Sequence, residues 1–198
     1  SSQLSIGGAG TFSNATGSPL VLDVADSILD LTGNGTISGP MKLESGTLKS
    51  TGSPTVSGAM TQYSDATIEV STNQTLTYSG APFSLGANTL TLTGGGTLLS
   101  GSLNLNNANS KLLLNSITVD SVSTTIDNSL GVDVDNDSTI TSLSVANITP
   151  VSIASGKTLS GAITVTAGSL KLTEAGMLAS SVSMSGGVLD ADESSTVS

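Results

Sequence analysis

"GKTLSGAITVTAGSLKLTEAGMLASSVSMSGGVLDADESSTVS" (residues 156–198) nearly matches itself when Leu159 is laid on Leu178 and then on Val197. The same shift brings Ile163 onto Val182, Val165 onto Met184, and Leu170 onto Leu189. Between these positions the chain alternates, as in "AITVT" (162–166) and "SLKLT" (169–173). Alternation at period two gives an extended run one apolar face and one polar face. A fixed repeat of about 19 residues marks a solenoid, in which a unit buries its apolar face by stacking on its neighbours.

The unit continues upstream on one anchor: a Thr or small residue, an aliphatic residue, then Ser or Gly. It reads "GTFSN" (10–14), "GTISG" (35–39), "PTVSG" (54–58) and "GTLLSG" (96–101), then "STITS" (138–142), "KTLSG" (157–161) and "STVS" (195–198). "QTLTY" (74–78) and "NSITV" (115–119) are weaker copies, and "GMLAS" (176–180) completes the set. The anchors are Phe12, Ile37, Val56, Leu76, Leu98, Ile117, Ile140, Leu159, Leu178 and Val197. Five of their nine intervals equal the step from Leu159 to Leu178, and the rest are longer, as insertions in turns require. Two or three short strands in about 19 residues make one coil of a parallel β-helix. A hairpin meander gives no reason for an apolar column to recur at that distance.

The expected fold is therefore all-β: a right-handed parallel β-helix of about ten coils, one elongated domain over residues 1–198. The handedness follows from connection chirality. Coils stacked at about 4.8 Å make a rod roughly 50 Å long.

Composition agrees. Ser and Thr number 63 and Gly 23, whereas the aromatics are two Phe, two Tyr and no Trp, so the core is aliphatic and narrow. Fifteen acidic residues face five lysines, with no Arg or His. Such a chain lacks the clustered cations that nucleic acid or an anionic membrane surface needs, and neither is expected as a partner. No apolar run approaches a membrane span, no signal peptide is visible at Ser1, and the lack of Cys removes disulfides and thiolate chemistry.

Phrases such as "NTLTLTGGGTLLSGSLNLNNANSKLLL" (88–114) resemble the passenger regions of bacterial autotransporters and the filamentous haemagglutinin-like β-helical adhesins. The likeness covers nearly the whole chain and lies in texture: Thr-Leu-Thr runs, glycine turns, no cysteine, acidic charge. It implies a secreted bacterial rod at the cell surface, serving adhesion, aggregation or a matrix, with a host-cell or carbohydrate ligand. Neither end of the sequence reads as a cap, so the expected partner is the rest of a longer chain or further copies stacked end to end.

The sharpest chemical candidate is "GVDVDNDST" (131–139). With Val132 and Val134 inward, Asp133 and Asp135 face outward about 7 Å apart and Asp137 follows, a set of hard oxygen ligands suited to Ca²⁺. It is no EF-hand, because Ser138 and Ser144 stand where the loop needs Gly and Glu. "DADE" (190–193) is a weaker version.

Two other functions fit the same texture. A polysaccharide lyase or hydrolase would use paired carboxylates, but Arg and His are missing, Asp120 and Asp127 are loosely placed, and Phe12, Tyr63, Tyr78 and Phe83 are the only candidate sugar platforms. An ice-binding face would use Thr-x-Thr columns. Thr75/Thr77, Thr89/Thr91/Thr93 and Thr164/Thr166 qualify locally, but the repeat shift brings Ser183 and Ser185 under the last pair. Sequons at Asn14, Asn34, Asn73, Asn136 and Asn147 are what so much Asn, Ser and Thr produces by chance. The leading expectation is a structural protein without enzymatic activity or cofactor, Ca²⁺ at Asp133, Asp135 and Asp137 being the one exception considered.

Overall fold

The structure, a computed structural model, describes residues 3–14, 17–127, 129–147, 149–172, 176–191 and 195–198. The chain winds as a right-handed parallel β-helix, and no described residue is helical. Face A is a 10-stranded parallel sheet running from Gln3–Ile6 to Val188–Ala191. Face B is an 11-stranded sheet from Thr11–Phe12 to Thr196–Val197, with Phe83–Ser84 beside its main path. A third face, C, has three strands: Leu20–Leu22, Met41–Leu43 and Met60–Gln62. The described residues form ten rungs; the first and last carry largely exposed strands, which leaves about eight closed coils.

Alternation sets the inside and the outside. In Thr89–Thr93 the two leucines are fully buried and the three threonines half-buried. Registered stacking turns such positions into columns. On face A, Leu4, Leu29, Leu48, Ile68, Leu92, Leu114, Val134 and Ile153 follow one another through eight rungs. Each buried aliphatic of this size adds about 1.5–3 kcal/mol relative to exposure, so the core accumulates along the axis.

The anchor column needs three corrections. Val56 pairs with Tyr78, not Leu76; Leu98 pairs with Val119, not Ile117; and Leu159 lies beside Ser138, with Ile140 beside Gly161. The first two replacements lie two residues downstream in the weaker copies. A shift of two keeps every side chain on its original face, so apolar spacing could not distinguish the registers. Leu76 and Ile117 are still buried.

After the fourth coil the architecture changes. Faces B and C fuse into long strands, Thr97–Leu105, Thr118–Ile126, Ser138–Val145, Thr158–Val165 and Met177–Met184. Each of the first three bends where two successive residues face outward: Gly101–Ser102, Val122–Ser123 and Thr141–Ser142. At the next bend Gly161 adopts φ 131°, and a Cβ there would collide with the Ile140 carbonyl oxygen, so only glycine fits.

Candidate functional surfaces

Face A carries most of the charged side chains that lie on strands. Asp30, 7% exposed, accepts hydrogen bonds from Thr51 Oγ1 (2.8 Å) and Gln3 Nε2 (3.3 Å). Lys49 lies next to it in register and forms an ion pair with Glu69 on the following rung (2.7 Å). The hydrogen bond to Glu69 raises the Lys49 ammonium above its ordinary value; partial burial opposes this, and the charges of Glu69 and Asp30 add to it. Both partners of the pair are about a third exposed, so solvent screening keeps its net contribution small.

The three candidate calcium ligands have three different surroundings. Asp133, on the strand Gly131–Asn136, forms an ion pair with Lys111 on the preceding rung. Asp135 is exposed at a bulge, because Val134 pairs with Leu114 whereas Asn115 pairs with Asn136. Asp137 lies past the corner, where Oδ1 accepts the Thr158 N–H at 2.8 Å. Among the described residues no group of three His, Cys, Asp or Glu is placed to hold a metal ion. The even spacing expected of a straight strand is lost because the bulge and the turn into face B intervene. Of "DADE", Asp192 and Glu193 lie outside the described residues.

Face B carries hydroxyls. Thr11, Thr36, Thr55 and Thr77 form one column, and Thr75, Thr97, Thr118 and Thr139 form another that continues to Ser160. These columns are longer than a constant repeat shift indicates, because the true steps are unequal, wider from Thr11 to Thr36 than from Thr36 to Thr55. Leu99 and Asp120 follow Thr77 in its file and interrupt it, and Ser183 does lie beside Thr164. The five long strands together contain one charged residue, Asp120, whose Oδ1 accepts from Thr141 Oγ1 at 3.1 Å.

The four aromatics divide into one pair and two single rings. Tyr78 and Phe83 are buried in edge-to-face contact at 6.0 Å between centroids. The Tyr78 hydroxyl donates to the Ala81 carbonyl (2.6 Å) and accepts the Met60 N–H (3.1 Å). Burial raises its pKa, and the Met60 hydrogen bond opposes that shift. These two rings are core, not a sugar platform. Tyr63, just past the strand Met60–Gln62, is 55% exposed, with Lys42 Nζ 4.9 Å from its ring centroid. Phe12 stands half-open on the first rung.

Of the sequons, Asn136 Nδ2 is engaged by Asn115 Oδ1 (2.6 Å), and Asn14 Nδ2 donates to the Ser18 and Pro40 carbonyls. The shallow groove of Gly95, Ser116, Thr118, Asp137, Thr139 and Thr158 joins rungs five to eight. Its polar atoms include the Asp137 carboxylate already bonded to the backbone. The Lys49 network, the Tyr78–Phe83 pair and the Asn115–Asn136 hydrogen bond were not visible in sequence, because all but the two rings join residues from successive coils. No protein-family model matches the chain, and no curated protein or solved structure matches it significantly.

Proposed function

We propose that this chain is a non-enzymatic structural rod, a segment of a secreted bacterial surface adhesin or a subunit of a self-assembling extracellular filament. The observation that carries this reading is the pair of parallel sheets that follow each other from Gln3 to Val197 and enclose one aliphatic cluster running along the axis. Support for a mechanical role comes from the direction of the backbone hydrogen bonds, which run from coil to coil along the axis. Six acidic side chains (Asp30, Asp65, Glu69, Asp120, Asp133 and Asp137) make separate bonds to Thr51, Lys49, Thr141, Lys111 and backbone amides, an arrangement suited to fastening coils.

Association along the axis is favoured by the outermost rungs. Leu4, Phe12 and Val197 belong to inward columns yet are 54%, 39% and 41% exposed, and another rung laid on them would cover apolar surface. That rung comes from the parent chain in an adhesin and from a second copy in a filament. A head-to-tail contact of this kind does not close on itself and grows as a fibre.

Negative-stain electron microscopy over a concentration series, with and without added Ca²⁺, tests both forms. Long fibres of uniform width support a filament subunit, and single short rods overturn that form and leave the segment of a longer surface protein. Turnover of a polysaccharide, read as new reducing or unsaturated ends, would overturn the non-enzymatic reading.

A further inference from the structure

We infer that Asn34 is a site of spontaneous deamidation whose products loosen the first coil from the second. Asn34–Gly35 is the one Asn-Gly step in the chain. It lies at the corner between the strands Ile28–Leu31 and Thr36–Ile37, with Asn34 exposed. A following glycine has no Cβ to shield its amide nitrogen from the asparagine side chain. The Gly35 amide donates to no described residue, which leaves the nucleophile uncommitted. The electrophile is activated: Asn34 Oδ1 accepts the Ser53 N–H at 3.0 Å, which withdraws electrons from Cγ.

In the reaction, the Gly35 nitrogen gives up its proton and bonds to Asn34 Cγ. The Cγ–Nδ2 bond breaks, and ammonia leaves with that proton, which closes a succinimide. Water then adds to one of two carbonyls. Cleavage of the new N–Cγ bond yields an ordinary aspartate with a normal backbone. Cleavage at the original main-chain carbonyl yields isoaspartate, whose backbone runs through Cβ and Cγ and is longer by one methylene.

The backbone on both sides of Asn34 is packed against the first coil. A Cβ on Gly33 would collide with the Gly8 backbone, and one on Gly35 with the Gly10 carbonyl oxygen. The flanking bonds Thr32 N–H to Ile6 O (3.0 Å) and Thr36 N–H to Gly10 O (2.9 Å) hold the two coils in register across the corner. A longer corner cannot keep both. The other corner asparagines lack this combination, since Asn73 precedes Gln74 and Asn136 precedes Asp137 with its amide bound to Asn115.

The test incubates the folded chain at mildly alkaline pH in ¹⁸O-water and maps peptides by mass spectrometry, with isoaspartyl methylation as a second readout. The denatured chain and the Asn34→Gln variant run in parallel. The expected result is conversion concentrated at Asn34 in the folded chain, with ¹⁸O incorporated there and no such product in Asn34→Gln. In the isoaspartyl fraction, amide-exchange protection at Thr32 and Thr36 is lost. In an Asn34→Asp variant it is retained, which separates the added methylene from the added charge. Conversion in the denatured chain with none at Asn34 in the folded chain overturns the site. Conversion without loss of protection overturns the loosening.

Discussion

The first three coils and the last six close the same aliphatic core in different ways. In the early coils three short strands meet at separate corners, and two neighbouring coils share two residue pairs on face B and three on face C. In the late coils one bent strand spans both faces, and Thr97–Leu105 shares eight pairs with Thr118–Ile126. The early core includes Met41, Met60 and the buried amide of Gln62, whereas the late core is Leu, Ile and Val with Ser and Thr at the bend. A joint between strands uses residues for turns, so each early coil gains fewer ladder bonds for the chain it orders. The difference teaches that coils of similar period can share different numbers of ladder pairs, according to how many corners they contain.

Tyr78 and Phe83 sit where one design passes into the other, so the largest effect is expected there. Phe83→Ala should cost about 3–5 kcal/mol and separate the early coils from the late ones, seen as two transitions in urea by circular dichroism and amide exchange. A single cooperative transition in the variant would show that the boundary transmits stability without the ring.

The late bend offers a sharper comparison. Ser121 Oγ and Thr124 Oγ1 share a hydrogen bond of 2.7 Å inside the core. Ser121→Ala alone should cost about 1–3 kcal/mol by stranding the Thr124 hydroxyl, and Ser121→Ala with Thr124→Val should recover much of that loss. Equal losses in the single and double variants would assign the bend's stability to shape instead.

Tyr78→Phe should also cost about 1–3 kcal/mol, because the buried Met60 N–H and the Ala81 carbonyl lose their partner. It should change the response to alkali as well. The raised pKa values of Tyr78 and Lys49 mean that their stabilisation is fully present below their unfolded values, 10.0 and 10.5 in the ordinary state, and is lost as pH rises through the higher folded values. Melting temperature should therefore hold through neutral pH and fall in the alkaline range, less steeply in Tyr78→Phe. An unchanged alkaline slope would remove Tyr78 from that account.

The smallest effect belongs to the exposed ladder of face A. Lys49→Met should change stability by no more than about 1 kcal/mol, and less still in high salt. A larger loss would mean that buried Asp30, left beside no cation, depends on Lys49 more than its bonds to Thr51 and Gln3 suggest.

Much of the candidate surface was hidden for the same reason that the fold was readable. Stacking columns are sums of many small, local preferences, so Leu159 over Leu178 over Val197 shows in a shift of the string. Asp133, Asp135 and Asp137 also look local, yet a bulge and a corner separate them, leaving one on a lysine, one exposed and one on a backbone amide. The Thr75–Thr139 column was obscured in the opposite way, by unequal turns that stacking brings back into line.

The amino-acid sequence alone determined the class of this protein. Period-two alternation that recurs at a nearly constant interval, with no ring-rich segment to build another core, admits little besides a parallel solenoid. Tertiary structure decided which residues share a rung, where three strands become two, and which acids find a cation or an amide. The physical reason is range. Side-chain alternation is imposed within a few bonds along the chain, whereas a register shift of two residues preserves that alternation, and only packing and hydrogen bonding between neighbouring coils choose among such registers.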